Sequence, residues 1–341
     1  MTTASRSGRV RLEDVARRAG VSKSIASRVL NRSPGLSVRN ETRERVIAAA
    51  SALAYRPHAA ARGLKRAETG AIGLLIPNLA MPVYAHIVRG AFHRALERDF
   101  ALLLAEDLGE EETEELFGRL VQAGRIDGLV VASARPGHPL IRSLRRYRIH
   151  HVFVNRAVAG SGRNVTMDDD RAGSAALDHL YGLGHRRIGL VAGPRSNDPA
   201  KRRAHGFREH AAALGLEKSV VLEGDFSESG GALLTQDLVG RHPDVTAIAT
   251  GGLSQAIGAL HAASRLGLHV PDDLSVISHD DMPLADFLQP PLTTVRMPLA
   301  ELGAAAVDAL IDQLLGGEPH DVVVETEPEI VVRSSTSTPR S

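Results

Sequence analysis

Residues 12–30 read LEDVARRAGVSKSIASRVL, and this stretch decides the fold expected for the N-terminal part of the chain. Leu12, Val15 and Ala16 are spaced along one face of a short helix. Gly20 ends that helix, because glycine accepts a left-handed backbone. A second helical pattern begins two residues later, and two short helices joined by a glycine-containing turn predict a helix-turn-helix unit.

The second predicted helix has two different faces. Ser22 lies where its N-cap belongs. The face expected to be buried carries Ile25, Ala26, Val29 and Leu30. The opposite face carries Lys23, Ser24, Ser27 and Arg28. Hydroxyls and long cations in this arrangement suit base edges and phosphates in a DNA major groove. A third helix is predicted from about Asn40 to Ala54.

The charge distribution points to the same kind of partner. Residues 1–65 carry 14 Lys and Arg against 4 Asp and Glu, a net charge of +10, whereas the remainder has a net charge of −9. This asymmetry favours a polyanion as the partner of the N-terminal block. A solvated basic tail is the alternative, although the block also has the apolar periodicity of packed helices.

Composition restricts the class of protein further. Hydrophobic residues make up 43% of the 341 residues and aromatic residues 3%, which predicts a core of Ala, Val, Leu and Ile. The chain contains no cysteine, which excludes disulfides and thiol catalysis. Its N-terminus is polar, and no run approaches the roughly 18–20 apolar residues of a membrane span. We therefore expect a cytoplasmic protein without a membrane partner.

Beyond residue 70, short apolar runs alternate with amphipathic helical stretches. The runs predict strands at Ile72–Ile76, Ala101–Leu104, Leu129–Val131, His151–Val154, Ile188–Ala192, Val220–Leu222, Val245–Ala249 and Leu274–Ile277. This alternation predicts parallel sheets covered by helices, and eight or more strands suit two doubly wound subdomains. Ligands of such folds bind beyond the carboxyl ends of the strands, here between the subdomains.

The chain resembles the LacI/GalR family over nearly its whole length. The matching headpiece words are Leu12-Glu13-Asp14-Val15-Ala16, Gly20-Val21-Ser22, Ser27-Arg28-Val29-Leu30-Asn31, Thr42-Arg43-Glu44-Arg45-Val46 and Tyr55-Arg56-Pro57. The later words are Gly184-His185-Arg186-Arg187-Ile188, Ala192-Gly193-Pro194, Arg203-Ala204-His205-Gly206-Phe207 and Pro290-Pro291-Leu292-Thr293-Thr294-Val295. Between Asn31 and Thr42 the chain is two residues longer than the usual pattern.

The resemblance implies an α/β fold with an N-terminal, all-α helix-turn-helix headpiece and two doubly wound parallel subdomains of the periplasmic binding protein type I kind. The expected divisions are a headpiece at 1–57, a hinge at 58–69 and an effector-binding and dimerisation domain at 70–341. Within that domain we expect one subdomain of about 70–164 with 297–321 and another of 165–296 with 322–333.

The family pattern also implies which residues contact DNA. They are Arg11, Leu12, Ser22, Lys23, Ser24, Ser27, Arg28, Asn31, His58 and Leu64. In the family the hinge becomes helical only on specific DNA, and a leucine at the position of Leu64 enters the minor groove and kinks the duplex. A plain flexible linker is the alternative for this segment.

Five residues match effector-binding positions of the family. Arg203 matches an arginine that binds ligand hydroxyls or a carboxylate, and Asp280 an aspartate that accepts from hydroxyls or amines. Tyr84 matches an aromatic position that packs on the ligand ring, and Asn155 lies where the family often has Asp. Each could instead be a structural or surface residue.

Gly252, the fifth of these residues, departs from the family pattern together with Leu253. They stand where the family usually shows Asn-Asp, so a polar contact is lost and apolar surface is gained. This departure leaves three readings open: an effector unlike a simple sugar, weak affinity, or no small effector.

Enzymatic readings find little support in the sequence. No metal-binding or nucleophilic motif stands out, and we expect neither catalytic residues nor a cofactor nor a metal. The acidic word Asp168-Asp169-Asp170 could suggest a divalent ion, but the family places a similar word where it caps a helix.

The sequence therefore predicts a sequence-specific DNA-binding regulator and not an enzyme. We expect a homodimeric repressor that binds a near-palindromic double-stranded operator and responds to a small, sugar-like effector. A solute-binding protein without DNA function, which shares the large fold, is the main alternative, and a doubly wound enzyme is a third.

Overall fold

The computed structural model of the chain describes residues 10–30, 36, 38–55, 69–109, 112–113, 115, 117, 120, 123–135 and 137–340. The chain divides into two compact units, Met1–Gly70 and Ala71–Ser341. Of the predicted DNA-binding residues, Asn31, His58 and Leu64 lie outside the described residues.

The first unit contains the predicted helix-turn-helix. Its helices are α1 (Leu12–Ala19), α2 (Lys23–Leu30) and α3 (Asn40–Ala52). Gly20 has a φ of 66° and ends α1, and the Ser22 hydroxyl accepts a hydrogen bond from the Ile25 amide at the start of α2 (3.3 Å). The small core is formed by Val15, Ala16, Ala19, Ala26, Val29, Val46, Ala49 and Ala50. The two helices thus meet through the apolar faces that the spacing predicts.

The second unit alternates strands and helices. Its strands are β1 (Ala71–Ile76), β2 (Ala101–Glu106), β3 (Gly128–Val131), β4 (His150–Val154), β5 (Asn164–Met167), β6 (Ile188–Ala192), β7 (Val220–Glu223), β8 (Ala247–Thr250), β9 (Ser275–His279), β10 (Thr293–Arg296), β11 (Val322–Val324) and β12 (Glu329–Val331). Its helices are α4 (Pro82–Glu97), α5 (Pro139–Arg146), α6 (Asp169–Gly182), α7 (Asp198–Ala213), α8 (Glu228–Arg241), α9 (Leu253–Arg265) and α10 (Leu299–Leu314).

These strands form two six-stranded sheets with the same order. One sheet runs β2-β1-β3-β4-β5-β11, and the other runs β7-β6-β8-β9-β10-β12. Every neighbouring pair is parallel except β10 and β12. The order with its crossovers is that of a doubly wound sheet in each subdomain, so the predicted fold class is confirmed.

The boundaries between the subdomains differ from those expected from the sequence. β5 and β11 pair with each other in the first sheet, Val165 opposite Val322. The chain therefore passes from the first subdomain to the second after Met167, and again between β11 and β12. The expected boundaries, at about 164 and 321, lie before β5 and β11. Neither β5 nor β11 was among the predicted strands, since runs of three or four residues give little periodic signal.

The two sheets place equivalent residues at their carboxyl edges. β4 and β9 are each the fourth strand from the β2 or β7 edge, and they are followed directly by Asn155 and Asp280. Both residues have left-handed backbones, with φ of 68° and 67°. Asn and Asp tolerate this conformation better than other side chains. The fold therefore ends two equivalent strands with a polar residue in a special conformation.

Candidate functional site

A narrow cleft at the carboxyl ends of both sheets collects all five predicted effector residues. It is lined by Met81, Pro82, Val83, Tyr84, Asn155, Asn197, Pro199, Arg203, Phe226, Gly252, Leu253, Ser254, Asp280 and Met282. Its cavity has a volume of about 60 Å³. Since small-molecule sites usually measure roughly 300–1,000 Å³, a sugar-sized ligand requires this cleft to widen.

Arg203 lies at the bottom of the cleft in a network of buried hydrogen bonds. Its Nε donates to Asp169 Oδ1 (2.9 Å), and one terminal nitrogen donates to the carbonyl of Gly251 (3.0 Å). The two terminal nitrogens also donate to the two carboxylate oxygens of Asp280 (3.1 and 3.3 Å). Burial alone would lower the pKa of Arg203, but the carboxylates of Asp280 and Asp169 raise it above its ordinary value. The guanidinium is therefore a permanent cation.

Two close helix contacts explain how Arg203 reaches Asp169. A Cβ added to Gly173 of α6 would lie 2.0 Å from the Arg203 carbonyl oxygen of α7, and one added to Gly206 of α7 would lie 2.0 Å from that of Asp170. Only glycine permits this approach of the two backbones. Asp169, at the first position of α6, is consequently within reach of the guanidinium, a partner that sequence reasoning did not identify.

Arg202 connects the two subdomains beside the cleft, and sequence reasoning also missed it. One terminal nitrogen donates to the carbonyl of Met167 and the other to that of Asn155, each at 2.9 Å. Its guanidinium also contacts Asp198, whose carboxylate accepts from the backbone amide of Ala157 (2.9 Å). Residues of α7 thus hold the ends of β4 and β5. The sequence contains the pair Arg202-Arg203, of which only Arg203 matched a family position.

Tyr84 and Asn155 form the opposite wall, and both are almost fully buried. Burial raises the pKa of the Tyr84 hydroxyl, and the neighbouring side chains of Arg156 and Asn155 partly offset this effect. Asn155 Oδ1 has no hydrogen-bond partner within the described part of the chain. Because a buried acceptor without a partner is unfavourable, this oxygen is a natural contact for a donor entering the cleft.

The wall around Gly252 is apolar. The Phe226 ring packs on Gly193, where an added Cβ would lie 2.1 Å from the ring. A Cβ on Gly252 would lie 3.7 Å from the same ring and 3.8 Å from Asp280 Oδ2. Sequence reasoning found Gly252 but missed Phe226, which follows a strand without any motif around it. The predicted gain of apolar surface is present, and an aromatic ring contributes much of it.

In the first unit, five of the seven described DNA-binding candidates are exposed, and Leu12 and Ser27 are half-buried. Lys23, at the start of α2, donates to Glu13 Oε1 of α1 (2.6 Å). This contact lowers the pKa of Glu13. Arg28 lies five residues further along α2 and is exposed. Four of these candidates lie on α2 and Ser22 precedes it, whereas Arg11 and Leu12 lie at the start of α1, next to Glu13, which sequence reasoning had not singled out.

The three carboxylates of the acidic word have different partners. Asp168 Oδ1 accepts from the Arg171 amide (2.8 Å) and caps α6, whereas Asp170 contacts His205 (2.8 Å). Asp169 binds Arg203, as described above. Caps and ion pairs therefore account for all three side chains.

Among the described residues, no helix is long and apolar enough to cross a bilayer.

The chain combines a helix-turn-helix unit with a domain of two subdomains that has a cleft of the ligand-binding kind. This combination defines a DNA-binding regulator. Residues 11–58 match the family model "Bacterial regulatory proteins, lacI family". Residues 177–336 match a periplasmic binding protein-like domain.

Curated relatives match over almost the full length. The chain is 36% identical over 342 residues to the HTH-type transcriptional regulator MalR of Streptomyces coelicolor, covering 96% of each protein. It is 32% identical over 328 residues to the ribose operon repressor of Escherichia coli K12, covering 95% of this chain and 99% of that protein. This protein belongs to the LacI family of transcriptional regulators.

Solved structures agree with that assignment. A transcriptional regulator CelR–cellobiose complex has a TM-score of 0.73 and 30% identity, covering 96% of this chain and 100% of that one. The lac repressor dimer bound to operator and an anti-inducer has a TM-score of 0.82 and 27% identity, covering 97% of this chain and all of that one. The helix-turn-helix makes a solute-binding protein without DNA function the weaker reading.

Proposed function

We propose that this protein is a cytoplasmic, homodimeric repressor, not an enzyme, whose operator affinity changes when a small, sugar-like metabolite enters the cleft. The observation that carries the proposal is the meeting of Tyr84, Asn155, Arg203, Gly252 and Asp280 in one cleft of a chain that begins with a helix-turn-helix. The relatives support it by their names, which include a ribose operon repressor and a cellobiose complex.

An apolar surface on the first subdomain supports the dimer. Leu103 and Leu104 of the edge strand β2 are 42% and 43% exposed, and Phe92 and Leu96 of α4 are 48% and 63% exposed. An uncovered edge strand with large apolar side chains tends to pair with another chain. A second copy of this chain, related by a two-fold axis, would cover this surface and place two headpieces on a near-palindromic operator.

The narrow cleft supports coupling between ligand and DNA. A ligand that needs more than about 60 Å³ must move one subdomain against the other. In a dimer joined through the first subdomains, such movement alters the relative position of the two chains and so of their headpieces. The effector shifts operator affinity only by the difference between its affinities for the two arrangements. The segment 58–69 is proposed as the hinge, with Leu64 entering the minor groove.

The experiment is a fluorescence anisotropy titration of the full chain with duplexes covering the DNA upstream of its own coding sequence. We expect one duplex to bind far more tightly than scrambled DNA, with steep salt dependence. Arg28→Ala should remove about 1–3 kcal/mol of this preference, whereas Arg18→Ala on α1 should not. Equal affinity for specific and scrambled duplexes at all salt concentrations would refute the proposal.

A further inference from the structure

The charged groups of the cleft already satisfy one another, which restricts what the cleft can bind. Among the described residues that line it, Arg203 and Asp280 are the only two with a formal charge, and they face each other. Asp169 neutralises the guanidinium from behind, at 2.9 Å. An entering anion would meet the carboxylate of Asp280 without finding an unpaired cation, and an entering cation would compete with Arg203 for Asp280.

Two further cations beside the cleft, Arg156 and Arg202, do not change this balance. Arg156 acts on the Tyr84 hydroxyl and Arg202 pairs with Asp169, and neither lines the cleft. A phosphate or carboxylate on the ligand would therefore lose its hydration and meet no unpaired cationic side chain among the described lining residues. The cleft is suited to an uncharged molecule.

Asn155 determines where that molecule must offer a hydrogen bond. The residue is 5% exposed, lines the cleft, and has an Oδ1 without a partner in the described part of the chain. A left-handed backbone fixes it at the end of β4. A hydroxyl or N–H of the ligand would satisfy this acceptor, because an amide oxygen takes a neutral donor without transfer of charge.

Around Gly252 and Phe226 the described wall of the cleft is mostly apolar, and the Asp280 carboxylate beside it already pairs with Arg203. Gly252 lies beside the Phe226 ring, and Leu253 and Met282 continue the apolar surface. A ligand hydroxyl placed there would give up its water without replacement, whereas a methyl, alkyl or aryl group would gain contact.

From these contacts we propose that the effector is an uncharged amphipathic molecule, such as a deoxy sugar or an alkyl or aryl glycoside. It donates a hydrogen bond to Asn155 and turns an apolar edge to Gly252, Leu253 and Phe226. This assignment rests on the proposed function, in which the cleft binds an effector.

The test is calorimetric titration of the full chain with matched sets. Each set contains a parent sugar, its 6-phosphate, and its 6-deoxy form or phenyl glycoside, with D-glucose, D-galactose and L-mannose as parents. In the set that binds, we expect the deoxy or phenyl member to bind at least about tenfold tighter than the 6-phosphate, and about fivefold tighter than the parent. A set whose 6-phosphate or parent binds most tightly would overturn the inference.

Two variants locate the effect. Asn155→Ala should weaken the best ligand about tenfold, whereas Asn40→Ala, the same change at an exposed residue of α3 in the first unit, should not. In Gly252→Asn the parent sugar should bind more tightly than its deoxy form, the reverse of the order of affinities expected for the unmodified chain. A best ligand whose affinity is unchanged in Asn155→Ala, in a protein with unchanged thermal melting, would refute the contact. The proposed function would fail if the operator titration showed no specific binding. This inference would fail on the rank order of affinities within a set, so the two failures are distinguishable.

Discussion

Arg203 and Asp280 face each other in the cleft, and each terminal nitrogen of the guanidinium donates to one oxygen of the carboxylate, at 3.1 and 3.3 Å. The pair connects α7 to the end of β9 and is almost completely buried. Removing one member leaves a buried charge without its partner, which is far less favourable than the pair itself.

Arg203→Met should therefore destabilise the second unit, since it leaves Asp169 and Asp280 uncompensated. We expect a loss of about 3–5 kcal/mol in the free energy of unfolding, measured by urea denaturation. Arg195→Met is the matched control, because Arg195 is 83% exposed and its ion pair with Glu223 contributes less than about 1 kcal/mol. Equal losses in both variants would contradict a buried network at Arg203.

Glu13→Gln should increase affinity for non-specific DNA, because it releases Lys23 from its ion pair and removes a carboxylate from the DNA-binding face. We expect about two- to fivefold tighter binding of scrambled duplex and a salt slope steeper by about one. Glu44→Gln on α3 makes the same change of charge on a different helix and serves as the control. If the two variants behave alike, net charge and not the release of Lys23 explains the result.

His279→Gln should reduce the loss of stability in acid. Burial lowers the pKa of His279 to about 4 from an ordinary value of 6.5. Between these values the unfolded chain binds the extra proton and the folded chain does not, so stability is present above pH 6.5 and is lost as the pH falls toward 4. The free energy of unfolding that is lost through this histidine is on the order of 3 kcal/mol.

Urea denaturation at pH 7 and pH 4.5 checks this sign. The loss of stability between the two pH values should be smaller in His279→Gln than in the unmodified chain. His269→Gln, whose side chain is 80% exposed, should follow the unmodified chain. An unchanged pH dependence in His279→Gln would show that this imidazole is not held neutral.

Leu104→Lys should weaken the proposed dimer, since it places a charge on the exposed edge strand β2. We expect the dimer dissociation constant to rise at least about tenfold, measured by sedimentation equilibrium. Leu315→Lys is the control, because Leu315 is 77% exposed at the end of α10 and outside this surface. A dimer unaffected by Leu104→Lys would place the interface elsewhere.

Periodicity and motif predicted most of the fold but not the partners within the site. Long apolar runs such as Ile72–Ile76 became strands, whereas β5, β10, β11 and β12 were missed because runs of only three or four residues give little periodic signal. Arg203 and Asp280 were found by their family positions, since each stands in a stretch that resembles the family pattern. Asp169 and Phe226 were not, because their roles depend on backbone approaches at Gly173 and Gly193 that only the folded chain shows.

The central claim is that the arrangement of the cleft controls operator binding. It can be tested without knowing the effector, because the chain has no cysteine and two introduced cysteines give a single crosslink. Val83 and Ser254 line the cleft from opposite subdomains and are only partly buried. Val83→Cys/Ser254→Cys would be joined by a short bismaleimide, with each single variant treated alike as a control.

The decisive measurement is the operator dissociation constant of the joined protein. The account predicts a change of at least about fivefold relative to the untreated double variant, with the single variants unchanged. Operator affinity that stays the same after the cleft is joined would contradict the account.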